Sequence, residues 1–295
     1  MSLSSLLVQV LIQGLAVGSV YALIALGYVM IFKAVGVFNF AQGDFMMSGC
    51  FIGLWLIVYL RLPIALGLIL AVLLTSLLGI LVEAVVFHPL LESPSRSYLI
   101  STVAVGIILR EIGRLIFGAD PLSFPNYLGD KVIKLGSVGI PVQYIWISLA
   151  AVAVVSLLLW FFKKTKMGKA MRAVSEDRET ARLMGIDTNL NMKLTYALSS
   201  AMGAIAGVLI APVFFAFTEM GRSFGQKAFS SFVLGGTDSI PGAVVGGLLI
   251  GVVENLAGVF ISTKYKDAIS FIILIVVLIC KPRGLFGGRG ERRAA

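Results

Sequence analysis

The chain has 295 residues, 58% of them hydrophobic and 13% charged, with a formal net charge of +9. Its mean hydropathy of +0.99 means more apolar surface than a soluble domain of this size can bury, so lipid is the expected solvent. The positive charge gathers in residues 163–193 and in the tail 281–295, beside apolar runs. That placement argues against nucleic-acid binding and for retention on the cytoplasmic side of a membrane.

In chain order, runs of spanning length are expected at about residues 6–32, 40–60, 64–87, 97–117, 143–162, 193–214, 241–261 and 266–281. Each is near the roughly 20 residues that a helix needs to cross a bilayer core. The first run begins MSLSSLLVQVLIQG, without the basic lead-in of a secretion signal, and is expected to stay as a span. In residues 33–49, Asn39, Gln42 and Asp44 sit among Phe38, Phe40, Phe45, Met46 and Met47. Polar residues in such a run mark a pathway or a buried network. Cys50 and Cys280, both in apolar surroundings and without ligand spacing, are expected as two buried thiols.

Glu83 falls near a span end, where its side chain can snorkel to water. His88, beside Pro89, is the only histidine, so no HExxH zinc site can form, and no GxSG serine exists to pair with it. Arg110, Glu111 and Arg114 have the spacing of a structural ion pair on one helix. The loop 118–142, with Asp120, Asp130, Lys131 and Lys134, has no positive bias and is expected outside.

The longest polar stretch, residues 163–193, holds a short amphipathic helix with Ser175 as N-cap, acids in its first turn and Gly185 as its stop. Ala181, Leu183, Met184 and Ile186 give it an apolar stripe suited to a soluble partner. With this stretch cytoplasmic, Lys33 and Arg96 count to the inside and the N-terminus to the outside. The basic tail also belongs inside, which requires one further crossing between residues 214 and 241. Residues 222–240 are the candidate, short and interrupted by Gly235 and Gly236, as irregular segments sheltered by protein are.

Together with residues 33–49 this makes two broken segments, one per half, the pattern of helices lining a translocation route. Asn39, Gln42, Asp44, Gly235, Gly236, Thr237 and Asp238 are therefore candidate pathway residues. Glu254, in a glycine-rich run, is read either as a buried hydrogen bond between helices or as a pathway acid. Glycines four apart (Gly14 and Gly18, Gly49 and Gly53, Gly203 and Gly207, Gly242 and Gly246, Gly247 and Gly251) suit close helix packing, expected above all for the last three pairs. The chain is thus expected to be an all-α, polytopic membrane protein of about 8–9 spans in one domain, 1–295. A phosphate-binding GxxxxGK[ST] loop is missing: Met167-Gly168-Lys169-Ala170 lacks the first glycine and the hydroxyl residue.

Four stretches carry a resemblance: SEDRETARLMGIDTNLNMKLTYALSSAMGAIAGVL, VFNFAQGDFMMSG, LGGTDSIPGAVVGGLLIGVVEN and KYKDAISFIILIVVLICKPRGLFG. They are similar to branched-chain amino acid ABC transporter permeases of the LivH type over nearly the whole chain. Glu179-Thr180-Ala181-Arg182-Leu183-Met184-Gly185 also resembles the EAA loop of importer permeases, with Thr180 in place of the second alanine. The resemblance implies a bacterial inner-membrane permease paired with a LivM-type permease, two ATP-binding subunits that carry ATP and Mg²⁺, and a periplasmic amino-acid-binding protein. It implies no enzymatic activity and no cofactor on this chain. It places Ser175, Glu176, Arg178, Glu179, Ala181, Arg182 and Gly185 in the coupling segment that docks on an ATPase subunit. Urea and amide permeases share similar segments, so those substrates stand as alternatives to an amino acid, and an ion-coupled carrier as a further one.

Overall fold

A computed structural model describes residues 3–91, 93–126, 129, 131–135 and 138–287. Asp130 and the tail residues Arg289, Glu291, Arg292 and Arg293 lie outside the described residues. The chain folds into helices α1 (Leu3–Val35), α2 (Gln42–Leu54), α3 (Ile64–Val82), α4 (Ser95–Phe117), α5 (Val142–Lys164), α6 (Lys166–Glu176), α7 (Arg178–Leu183), α8 (Thr188–Phe214), α9 (Met220–Gly235), α10 (Ile240–Phe260) and α11 (Lys266–Cys280). A small antiparallel hairpin, β1 (Val132–Leu135) and β2 (Val138–Pro141), precedes α5. π-type turns extend α2 through Tyr59 and α3 through Phe87. Among the described residues, five helical stretches are long and apolar enough to cross a membrane: Ser5–Val35, Ile64–Leu90, Val142–Lys164, Thr188–Phe214 and Ile240–Phe260. The protein is an all-α, multi-pass membrane protein.

α1 is the axis of the bundle, enclosed by α5, α8, α9 and α10, with Leu23, Ile24, Ala25 and Leu26 fully buried. α3 and α5 instead turn leucine-rich faces outward, as helices at a lipid boundary do. Close contact between α1 and α10 depends on small residues. A Cβ on Gly18 would lie 2.8 Å from the Gly247 carbonyl oxygen and from Leu248 Cα, both backbone atoms that cannot step aside. Gly203 and Gly207 of α8 receive Met46 and Cys50 of α2, and Gly242 and Gly246 of α10 receive α9. All five glycine pairs therefore pack against a neighbouring helix.

The two ends of the bundle can be told apart. Lys33 of α1, Arg172 and Ser175 of α6, Thr195 of α8 and Ile240 of α10 line one cleft. The tail returns to that same end, where Leu285 N–H donates to the Leu234 carbonyl at 2.8 Å and Phe286 N–H to Gly235 at 3.0 Å. At the opposite end, Leu122 and Ala216 form a two-way backbone bridge. α9 supplies the extra pass that brings the tail back to the end holding residues 163–193. It differs from the expectation in being a continuous helix of about 24 Å at 1.5 Å per residue. Gly235 and Gly236 do not interrupt it; Gly236, at φ 107°, ends it.

Cys50 is buried as expected, whereas Cys280 is exposed on α11. Glu83 does not snorkel. It is 1% exposed, and its Oε1 lies 3.0 Å from His88 Nδ1, beside the buried ring cluster of Phe87, Tyr98 and Tyr196.

Candidate functional site

Residues 163–193 form two helices rather than one. Thr165 caps α6 by accepting a hydrogen bond from Gly168 N–H at 2.9 Å. α6 then runs through Ser175, so Ser175 is not an N-cap; its hydroxyl donates to the Arg172 carbonyl at 2.7 Å. The cap is Asp177, which accepts from Thr180 N–H at 3.0 Å and from the Thr180 hydroxyl at 2.7 Å. An aspartate two residues further on is the better cap because its carboxylate also meets the positive end of α7.

α7 ends as the sequence suggests. Gly185 sits at φ 81°, its N–H donates to Arg182 O at 3.1 Å, and Ile186 N–H reaches back to Ala181 O at 3.1 Å. Asp187 immediately starts α8 by accepting from Asn189 and Leu190 N–H, both at 3.0 Å. The expected stripe is split: Ala181 is buried against the bundle, while Leu183 and Met184 are 88% and 79% exposed. Arg178, Glu179 and Arg182 are exposed around them, with Glu176 at the end of α6. The result is a small apolar knob, rigidly capped at both ends and ringed by charge.

The candidate pathway residues do not come together in one place. Gln42 is consumed by packing: its Nε2 donates to the Ser199 carbonyl at 3.0 Å and its Oε1 accepts from the Ser199 hydroxyl at 2.7 Å. Asn39 folds the bend before α2, its Oδ1 accepting from Ala41 N–H at 3.1 Å. Gly235, Gly236, Thr237 and Asp238 lie at the far end of α9 from Asp44, which packs beside Gly221; fourteen residues of helix separate these points by about 21 Å. Gly235 and Gly236 serve the close contacts with Gly242 and with the tail.

Asp44 lines a cavity of about 560 Å³ between α2, α4 and α9, reached also by Phe271 of α11. Arg110 of α4 does not pair with its sequence neighbour Glu111. Its Nε lies 3.3 Å from Asp44 Oδ1, and its Nη1 lies 3.8 Å from Glu219. Arg114 does bridge Glu111 at 3.1 Å, and also Glu219 at 3.0 Å. Arg110, Glu219, Arg222 and Gln226 complete the polar wall; Asp44, Arg110 and the group from Glu219 onward are 66 or more positions apart, and no spacing signature announces that they meet.

Glu254 is elsewhere and closed in. At 2% exposure it accepts from Tyr21 Oη at 2.7 Å and Lys227 Nζ at 2.6 Å, with Lys266 Nζ at 3.2 Å. Lys227 also reaches Asp267 at 2.8 Å. Two cations and two carboxylates thus balance while joining α9, α10 and α11, and the Tyr21 hydroxyl ties in α1. The interhelical reading of Glu254 holds, and Lys227 is the residue that sequence reasoning missed. A lysine inside residues 222–240, a segment expected to cross the membrane, was the available signal. Among the described residues no group of histidine, cysteine and acidic side chains is arranged to hold a metal.

A family model described as "Branched-chain amino acid transport system / permease component" matches residues 10–278. The chain is 35% identical over 294 residues to the high-affinity branched-chain amino acid transport system permease protein LivH of Salmonella typhimurium, covering 95% of each. It is 35% identical over 292 residues, again 95% of each, to the corresponding permease protein BraD of Pseudomonas aeruginosa. A probable branched-chain amino acid transport permease protein LivH of Methanocaldococcus jannaschii is 27% identical over 281 residues, 90% of this chain and 88% of that one. These relatives are transport permeases, and two of them match along almost their full length. With its apolar helices, its enclosed α1 and a family match from α1 to α11, this chain belongs to the branched-chain amino acid transport system permease family.

Proposed function

We propose that the chain is the permease subunit of an ATP-driven importer in a bacterial inner membrane, its N-terminus periplasmic and its C-terminus cytoplasmic. It passes branched-chain amino acids handed over by a periplasmic binding protein. Two ATP-binding subunits and a LivM-type second permease complete the assembly. ATP and Mg²⁺ belong to the ATP-binding subunits, and this chain catalyses no reaction. The orientation is supported by the basic residues Lys33, Arg172 and Lys193, which share one end of the bundle with α6 and α7.

The observation that carries this reading is the knob on α7. Leu183 and Met184 are exposed with none of the described residues over them, on a helix too short to be stable alone. Seated in a groove of an ATPase subunit, they supply contact area while Arg178, Glu179 and Arg182 set the register. Motion of that subunit then passes through Ala181 and the Gly185–Asp187 turn into α8. Ser199 of α8 holds Gln42 of α2, two residues before Asp44. The lever is thereby joined to the wall of the cavity by packed helices that move as rigid pieces.

The test replaces Leu183 and Met184 with aspartate in the whole transporter. ATPase co-purification and ATP-dependent leucine uptake are expected to fall about tenfold or more, as on loss of interface anchors, with the permease still inserted. Retained ATPase binding and uptake, or uptake by this chain alone on an ion gradient, would overturn the reading.

A further inference from the structure

Where a separate binding protein does the selecting, a wide and weakly polar passage suffices, yet the Asp44 cavity is more specific than that. Asp44 is 4% exposed, and its Oδ1 is buried with no hydrogen-bond partner among the described residues. Arg110 Nε lies 3.3 Å from Oδ1 but directs its N–H to the Gly106 carbonyl, also at 3.3 Å. Buried carboxylates ordinarily gather donors, so Oδ1 is left short of one that a ligand in the cavity can supply. Arg222 lines the same cavity and has no acidic partner within ion-pair reach among the described residues. Apolar surface separates them, from Phe40, Ile107, Phe229 and Phe271. A carboxylate short of a donor, a guanidinium short of an acceptor and an apolar wall are the complement of one chemical class: an α-amino acid with an aliphatic side chain. The volume of about 560 Å³ falls within the range of small-molecule sites.

We propose that this cavity is a station for the translocating substrate, gripping its ammonium with Asp44 and its carboxylate with Arg222 while the side chain lies on Ile107 and Phe229. The proposal rests on the transport reading above and adds to it a second selection, of the head group, within the membrane. Arg222 suits the role because a guanidinium meets a carboxylate through two parallel N–H donors. Neutral cargo such as an amide offers hydrogen bonds but no charge to pair with either end.

The experiment is thiol protection in membranes holding the whole transporter, with ATP-dependent leucine uptake by the wild type measured in parallel. Cys280→Ser removes the exposed native thiol, Cys50 being buried, and Gln226→Cys sets a thiol on the cavity wall. Millimolar L-leucine is expected to slow labelling of that thiol by a charged methanethiosulfonate about tenfold, the scale of a desolvated charge contact. Isoamylamine, lacking the carboxylate, and 4-methylpentanoate, lacking the ammonium, are expected to leave it unchanged. Adding Asp44→Asn or Arg222→Gln is expected to abolish the protection. Arg222→Gln alters an exposed side chain with no acidic partner among the described residues and so keeps the test valid should Asp44→Asn misfold. Leucine uptake without protection, equal protection by either analogue, or protection that survives both substitutions overturns the station and leaves the transport reading standing. Absence of ATP-dependent uptake by the wild type overturns the transport reading itself.

Discussion

Asp44 and Glu254 are both carboxylates held inside a membrane bundle, one in the first turn of α2 and the other in the middle of α10. Glu254 has a tyrosine hydroxyl and two lysines within 3.2 Å. Asp44 has one guanidinium at 3.3 Å, no hydrogen bond at Oδ1, and an open cavity before it. The first arrangement has its partners from the neighbouring helices, whereas the second has an Oδ1 without one. Burial of charge is therefore not itself a sign of function. What separates structural from functional charge here is whether the protein supplies every partner.

Three substitutions test that contrast, in falling order of expected effect on stability. Lys227→Met leaves Glu254 with the Tyr21 hydroxyl and Lys266 and takes the Lys227 ion pair from Asp267. A loss of about 3 kcal/mol is expected, near the lower end for breaking a buried pair, seen as a lower Tm of the purified transporter. Arg110→Met removes the cation beside Asp44, but that contact, at 3.3 Å, is not a hydrogen bond, so the cost is about 1–2 kcal/mol in the same melt. Arg114→Gln breaks contacts to Glu111 and Glu219 that are half exposed, and the Tm is expected to move by less than about 1 kcal/mol allows. A reversed order would mean that the Asp44 cluster is the structural one.

What the residues announce in advance depends on how local the cause is. Apolar runs give helices of the expected length, and Gly185 marks the end of α7 because a left-handed turn favours glycine locally. The extra pass at α9 followed from the placement of basic residues alone. Ser175 misled because Asp177, two positions on, offers an equally local cap that also ends the preceding helix. Gln42 and Asp44 share a polar, apolar-flanked stretch, yet one faces α8 and the other α4 and α9; composition does not tell which side of a helix turn meets which neighbour. Arg110 found Asp44 rather than Glu111 because side chains adjacent in a helix diverge, while one 66 positions away can lie opposite. Such pairs become visible only once the helices are packed.

The most direct measurement compares Asp44→Asn with Glu254→Gln in the same reconstituted transporter, recording Tm and leucine uptake per molecule of folded complex. With cargo handled at Asp44 and helices held at Glu254, Asp44→Asn loses uptake at an unchanged Tm, and Glu254→Gln lowers the Tm while surviving complexes still transport. Full uptake by Asp44→Asn, or loss of uptake by Glu254→Gln without loss of stability, would contradict the assignment of these two sites.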